Sequence, residues 1–166
     1  MTDDGADDGP DYGFRPVTRS DLPMLAEWLR DPQTAAWWPD PDHQLTLVTE
    51  DLIEPAMRQL IALLGETPVG YAQCYPAHHW PAPHFHDLPR DTIAIDVFGA
   101  PDARGHGGAW LRALGDVLLA ETGTLAIDPS PDNQRAIRAY EKAGFHGGAI
   151  RRDGEGQATR VMTRLR

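Results

Sequence analysis

Cysteine is almost missing from this sequence: Cys74 is the only one among 166 residues. A single thiol cannot form an intramolecular disulfide, so a reducing compartment is the expected environment. Cys74 lies between Gln73 and Tyr75 in a strand-like pattern. We therefore predict a packed core thiol rather than a reactive one.

Positive charge is scarce as well, with 15 Lys and Arg against 25 Asp and Glu and a formal net charge of −10. Nucleic-acid binding needs clustered basic residues, so this composition argues against it and favours a cationic partner. No apolar run approaches the roughly 18 residues of a membrane span, and no basic start precedes an apolar segment. The sequence thus predicts neither a membrane span nor a secretion signal, and we expect a cytoplasmic protein.

The acidic charge is concentrated at the start of the chain. Half of the net charge comes from aspartates that precede Arg15, the first basic residue: Asp3, Asp4, Asp7, Asp8 and Asp11. A run of Asp, Gly and Pro cannot bury apolar surface. We predict a disordered acidic tail over residues 1–13 and a single domain over residues 14–166, which is an ordinary domain length.

Strand-like and helix-like segments alternate along the domain. Two strands flank the Gly65-Glu66-Thr67-Pro68 hairpin signal, and helices are expected over 21–30, 46–54, 107–122 and 134–143. A strand over 92–98 and one over 124–127 enclose the third helix, which predicts a parallel crossover. The pattern indicates an α/β fold in which helices cover a mixed sheet.

The stretch from Asp128 to Phe145 carries the strongest chemical signal. Prolines at positions 129 and 131 end a short apolar strand, Asn133 is a good N-cap, and Gly144 is the expected residue after the helix. Asn133 and Tyr140 are seven residues apart, close to two turns, so they share one helix face with Ile137. Polar groups at both ends of a buried stripe need partners, which a ligand could supply.

These residues resemble the closing signature of the GNAT superfamily of acyl-coenzyme A dependent N-acetyltransferases. Within it, the chain is most similar to aminoglycoside 6′-N-acetyltransferases, by motifs that occur here in order: Glu27-Trp28-Leu29, Trp37-Trp38, Gly70-Tyr71-Ala72-Gln73, Ile95-Asp96 and Asp128-Pro129-Ser130-Pro131. The resemblance runs from about Phe14 to Leu165. It implies a mixed, mostly antiparallel central sheet with a splayed parallel pair and about four flanking helices.

A glycine-rich segment between a strand and a helix predicts the cofactor site. Free N–H groups and the helix dipole favour phosphate there, and glycine allows close approach. The cofactor-binding candidates in this segment are Arg104, Gly105, His106, Gly107, Gly108 and Ala109. Two registers stay open, one using Gly107 and Ala109 and the other Gly105 and Gly107. The resemblance implies acetyl-CoA, with its arm beside Val97 and Phe98 and in contact with Asn133 and Tyr140.

Two residues are candidates for proton transfer. An alkylammonium with a pKa of about 10 must lose a proton before its nitrogen can attack a thioester. Asp96, at a strand end, is the predicted base or the group that orients the ammonium. Tyr140 can donate a proton to the departing thiolate and is the predicted acid. Direct transfer needs no covalent intermediate, so Cys74 has no part in it.

The acidic composition predicts a small polycationic amine as acceptor, and the resemblance implies an aminoglycoside acetylated at its 6′-amine. Aromatic rings stack on sugar faces and carboxylates pair with ammonium groups, which makes substrate-binding candidates of Trp37, Trp38, Tyr75, Asp87, Asp91, Asp96 and Asp128. Alternatives are acylation of a siderophore precursor or a protein N-terminus, a non-catalytic acyl-CoA binding domain, and metal binding by the histidines of loop 76–90. We predict no metal site, and the sequence does not define the oligomeric state.

Overall fold

The computed structural model describes residues 10–166 as one seven-stranded sheet with helices on both faces. The strands are β1 (Tyr12–Pro16), β2 (Arg58–Leu64), β3 (Thr67–Pro76), β4 (Ile93–Gly99), β5 (Thr124–Ile127), β6 (His146–Arg152) and β7 (Ala158–Leu165). The helices are α1 (Leu22–Arg30), α2 (Pro32–Ala35), α3 (Pro41–Asp51), α4 (Gly107–Leu118) and α5 (Gln134–Lys142). Single 3₁₀ turns lie at Arg19–Asp21, Pro83–Phe85 and Pro101–Ala103.

The strand order is β1-β2-β3-β4-β5-β7-β6, and every neighbouring pair is antiparallel except β4 and β5. The predicted crossover between these two strands is therefore confirmed, with α4 as its helix. Thr124–Ile127 forms β5 as expected, and all four of its residues are buried. None of the helices in residues 10–166 has the length and apolar character needed to cross a bilayer.

The start of the domain, the bounds of α3 and the end of α4 at Leu118 instead of 122 differ from the sequence-based expectation. Tyr12 and Gly13 belong to β1, where they pair with Leu64 and Leu63, instead of to the acidic tail. Residues 1–9 of that predicted tail lie outside the described residues. Helix α3 begins at Pro41 and not at Thr46, because the Asp40 carboxylate caps the amide of His43 at 3.3 Å and proline fits the first turn.

Alternating side chains of the central strands build two cores, one on each face of the sheet. Ile61 and Tyr71 pack with α1 and α3 in one core cluster. Leu25 and Leu29 of α1 are fully buried there. Ala62 and Ala72 lie on the other face with the apolar sides of α4 and α5. Cys74 is 2% exposed in this second core, and burial raises the pKa of its thiol to about 12, as expected for a packed rather than a reactive cysteine.

The parallel pair opens soon after it forms. Only Ile93 with Leu125 and Ala94 with Ala126 are in register, while β4 continues to Gly99 and β5 ends at Ile127. Pro129 and Pro131 follow β5, and proline cannot donate to a strand ladder. The second half of β4 is thus left without a strand partner on this side, and its free edge faces the start of α5.

Candidate active site

A large cavity lies beside the free edge of β4. Its volume is about 1010 Å³, at the upper end of the roughly 300–1,000 Å³ that is usual for ligand sites. Its walls come from α2 and the residues after it, the second half of β4, the segment from Gly99 to Ala109 and one face of α5. Val97, Phe98, Asn133 and Tyr140, all predicted to contact the cofactor, line it together.

The glycine-rich segment has a separate role for each glycine. Gly105 has a φ of +95°, which favours glycine in the turn before α4. A Cβ on Gly108 would lie 3.0 Å from the carbonyl oxygen of Ala139, so this glycine lets α4 and α5 pack closely. Gly107 begins α4 and has open space at its Cβ position. Both of the predicted registers include Gly107, which lines the cavity at the start of α4.

Five of the six predicted residues in this segment line the cavity: Arg104, Gly105, Gly107, Gly108 and Ala109. His106 is not among the lining residues, and its contact with the cofactor stays a prediction. Its ring nitrogen Nδ1 lies 3.1 Å from the hydroxyl of Tyr12, and its backbone N–H donates to Ala103 at 3.2 Å.

Sequence reasoning missed the basic side chains that line the same cavity: Arg112, Arg135, Arg138 and Lys142. Arg135, Arg138 and Lys142 recur at helical spacing along α5, which is the signal that would have found them. Two arginines are already held by the segment around α2. Arg104 is paired with Asp31, and Arg135 donates to Gln33 at 2.8 Å.

Asn133 joins the helix start to both parts of the site. Its Oδ1 accepts the N–H of Ala136 at 3.2 Å, which confirms the predicted N-cap. The amide nitrogen of the same side chain is not used by this cap. Asn133 and Tyr140 line the cavity and also a smaller cleft of about 330 Å³, so both residues lie where the two spaces meet.

The smaller cleft contains the predicted base. Asp96 lies on β4, and its Oδ2 accepts a hydrogen bond from Gln73 at 2.9 Å. Behind Gln73, the hydroxyl of Tyr71 donates to Oε1 at 2.9 Å, and Gln59 donates to that hydroxyl at 3.2 Å. This polar row fixes the carboxylate within the sheet. Its members were not predicted, although glutamines within apolar strands were a visible signal.

The environment of Asp96 favours its neutral form. Burial is the largest cause, and the charge of the nearby Asp128 adds to it, which together raise the pKa of Asp96 to about 7. The hydrogen bond from Gln73 acts in the opposite direction. A carboxyl group with a pKa near neutrality is a far better base than an ordinary aspartate.

Tyr140 is held in its protonated form. Burial, followed by the charges of Asp96 and Asp128, raises the pKa of its hydroxyl well above its usual value of about 10. The hydroxyl is therefore a hydrogen-bond and proton donor, which is the state that the predicted acid requires.

Trp37, Trp38, Asp96 and Asp128 are brought together on the walls of the cleft. Trp38 packs edge-on against Phe98, with ring centroids 5.1 Å apart, whereas Trp37 is 44% exposed. Tyr75 is not part of this lining. It packs against Trp80 with centroids 5.7 Å apart, and burial together with the charge of Asp96 raises the pKa of its hydroxyl.

Asp87 and Asp91 line neither the cavity nor the cleft, and their binding of the acceptor stays a prediction. Arg151 binds Asp87 through two nitrogens, one at 2.8 Å, and holds the pKa of that carboxyl below its usual range. Asp91 accepts the N–H of Gly123 at 3.1 Å, which lowers its pKa. Both carboxylates are used to fasten chain segments to each other.

Three histidines of loop 76–90 each contact a different residue. His78 lies 3.0 Å from the carbonyl oxygen of Leu88, and His86 lies 2.8 Å from that of Pro83. His84 contacts Asp128. Within residues 10–166, no three His, Cys, Asp or Glu side chains converge in a way that would hold a metal ion.

The mixed sheet with one splayed parallel pair has the topology that the sequence resemblance implies. Residues 17–151 match the acetyltransferase (GNAT) domain. The chain belongs to the GNAT family of acetyltransferases. The family, the fold class and the enzyme class predicted from the sequence are thereby confirmed.

Individual proteins of this family are also similar to the chain in sequence and in structure. Aminoglycoside N(6′)-acetyltransferase type 1 of Klebsiella pneumoniae is 35% identical over 145 residues, covering 80% of this chain and 72% of that protein. The protein of the same name from Serratia marcescens matches equally well. The crystal structure of aminoglycoside acetyltransferase AAC(6′)-Ib with coenzyme A and kanamycin is 32% identical, with a TM-score of 0.78 and coverage of 94% of this chain and 95% of that one.

Replacing Gly107 with Asp tests the phosphate site. The change places a carboxylate at the start of α4 without a steric clash, because nothing lies within 4 Å of that Cβ position. Repulsion from phosphate is expected to weaken coenzyme A binding at least tenfold, measured by calorimetry. Gly148→Asp, in an equally open position on β6, is the matched control and should bind normally. If folded Gly107→Asp binds coenzyme A with unchanged affinity, the phosphate site is not at this turn.

Proposed function

We propose that the protein transfers an acetyl group from acetyl-CoA directly to the 6′-amine of an aminoglycoside. One observation carries the proposal: Tyr140 and Asn133 line both the large cavity and the acidic cleft, where Asp96 and Asp128 lie. A donor in the cavity and an amine in the cleft would therefore meet at Tyr140. The similarity to aminoglycoside 6′-N-acetyltransferases supports this choice of acceptor.

The residues of the large cavity fit coenzyme A. The amides of the first turn of α4 have no acceptor within the helix and favour a phosphate, while arginines from α4 and α5 supply positive charge. The free edge of β4 leaves alternate backbone groups for an extended arm, since no strand pairs there. Acetyl-CoA supplies the activated acyl group as a thioester.

The proposed chemistry uses residues at the splay. Asp96 takes the proton of the ammonium, and the freed nitrogen attacks the thioester carbonyl. A backbone N–H of Val97 or Phe98 stabilises the charge on that oxygen. When the carbon–sulfur bond breaks, the hydroxyl of Tyr140 donates its proton to the thiolate. No enzyme side chain forms a bond to the acetyl group. The attacking nitrogen loses a second proton, which replaces the one that Tyr140 donated, and Asp96 releases its proton to solvent. The products are the amide, the free thiol and one proton.

The acceptor half of the site supports a substrate with more than one positive charge. Asp96 and Asp128 are close enough for one to raise the pKa of the other, so a second ammonium would stabilise both charges. Trp37 and Trp38 offer ring faces and edges for a sugar. A small cationic amine as partner, with neither nucleic acid nor membrane, and a cytoplasmic location remain predictions from the sequence.

The decisive test compares kanamycin-type compounds with and without a 6′-amino group, using thiol release from acetyl-CoA. Only the 6′-amino compounds should be acetylated. Equal rates on both kinds of compound, or turnover only of a diamine or a peptide N-terminus, would contradict the aminoglycoside as acceptor. The acetyltransferase activity itself would still stand. No thiol release with any amine would indicate a binding domain without turnover.

The pH profile tests Asp96. The base must be ionised, so kcat/KM should rise as pH increases through about 7 and then level off. Removing the charge of Asp128 with Asp128→Asn removes one cause of the raised pKa, so the rise should move to lower pH. Asp96→Asn should abolish the rise and lower the rate. The same profile in Asp96→Asn as in the wild type would assign the rise to another group.

Replacing Tyr140 with Phe tests the acid. The ring stays in place and only the hydroxyl is lost, so kcat should fall by about 10²-fold or more while coenzyme A affinity changes little. Stopped-flow thiol release and calorimetry measure the two quantities. Full activity in Tyr140→Phe would mean that the thiolate takes its proton from water.

A further inference from the structure

His84 is a buried histidine that the proposed chemistry leaves unused. It lies in the 3₁₀ turn Pro83–Phe85 of the histidine- and proline-rich loop, and its side chain is 8% exposed. Its Nε2 lies 2.8 Å from Oδ2 of Asp128, which comes directly after β5 on the wall of the cleft. A residue 44 positions away in sequence therefore contacts one of the two acidic side chains of the acceptor site.

The turn that carries His84 is fastened on two sides. Phe85 is 1% exposed and packs with Ala94, Ala126 and Val161 in a third core cluster. Arg151 donates to the carbonyl oxygen of His84 at 3.0 Å while binding Asp87. The imidazole is thus held in one place by the fold and does not sample solvent as a loop side chain would.

The hydrogen bonds of His84 define which nitrogen carries the proton. Nδ1 is buried and has no partner among residues 10–166, so an N–H there would be left unpaired. Nε2 faces a carboxylate oxygen, which only accepts. The tautomer with its proton on Nε2 satisfies the pair, and His84 then donates to Asp128.

We propose that His84 is a positioning residue for the acceptor: its Nε2–H holds Oδ2 of Asp128 and leaves the other carboxylate oxygen for an ammonium group in the cleft. This inference rests on the proposed function, since it concerns how the acceptor is bound. Through His84, loop 76–90 then contributes to the acceptor site. His84 does not touch the reacting atoms and acts only through Asp128.

Kinetics with 6′-amino aminoglycosides test the proposal through two variants. His84→Leu removes the donor at similar volume and should raise the KM for the acceptor about tenfold or more, with kcat and the KM for acetyl-CoA within about twofold of wild type. His84→Gln can place an amide N–H near the position of Nε2 and should restore most of the loss. Equal acceptor KM in His84→Leu and wild type, or no recovery in His84→Gln, would overturn the proposal.

A double-mutant cycle separates positioning from general packing. If His84 acts through Asp128, adding His84→Leu to Asp128→Asn should change the acceptor KM by no more than about twofold. A merely structural role would give the same fold-change in both backgrounds and would overturn the proposal. Thermal unfolding of each variant identifies any that fail to fold. If His84→Leu does not fold, the cycle is measured with His84→Gln instead.

One measurement needs no acceptor and separates this proposal from the proposed function. The ¹⁵N chemical shifts of the His84 imidazole in the full chain should show the Nε2–H tautomer and should change in Asp128→Asn. A proton on Nδ1, or shifts insensitive to Asp128→Asn, would overturn the positioning role even if aminoglycosides are acetylated. Conversely, the expected shifts with no aminoglycoside turnover would contradict the acceptor assignment alone.

Discussion

The short parallel pairing of β4 and β5 is the constraint on which the rest of the site depends. Two register pairs hold the strands together at Ile93 and Ala94, and the prolines after Asp128 prevent further pairing. The free edge that results would be unstable against solvent or another chain if nothing covered it. Helix α5 covers it in part, anchored by Ile137 in the core, and the cavity and the cleft occupy what remains.

A second constraint is the burial of carboxylates at this opening. Taking a charge out of water costs free energy unless hydrogen bonds or a partner offset it. Asp96 is supported by Gln73 and Asp128 by His84, but the two charges still disfavour each other, which raises the pKa of Asp96. The site is therefore strained electrostatically in a way that a cationic amine relieves. Such a pair is poorly suited to stabilising the fold and well suited to binding an ammonium group and accepting its proton.

Local sequence signals predicted many of the residues that line the large cavity, although they missed its basic side chains. The Asn133 cap, the Asn133 to Tyr140 spacing and the glycines before α4 all depend on residues within a few turns of one another, and the structure places them around one cavity. The acceptor half depends on contacts between distant segments. Arg151 pairs with Asp87 across 64 positions, and no local pattern separates such a carboxylate from one that faces a ligand. The contact between His106 and Tyr12, 94 positions apart, is likewise outside the reach of a local pattern.

This difference has a physical origin in what each half must bind. Phosphate groups are recognised by backbone amides at a helix start. The glycine and helix-capping residues that create this geometry are neighbours in the sequence, so a local pattern can show it. In the function proposed above, a polycationic acceptor is recognised by side-chain charges that converge from β4, the end of β5 and the loop before β4. Changes in that loop can move His84, and with it Asp128, without touching the cofactor cavity. The fold thus allows acceptor preference to change through a loop whose ends are fixed by β3 and β4, while the donor half stays constant.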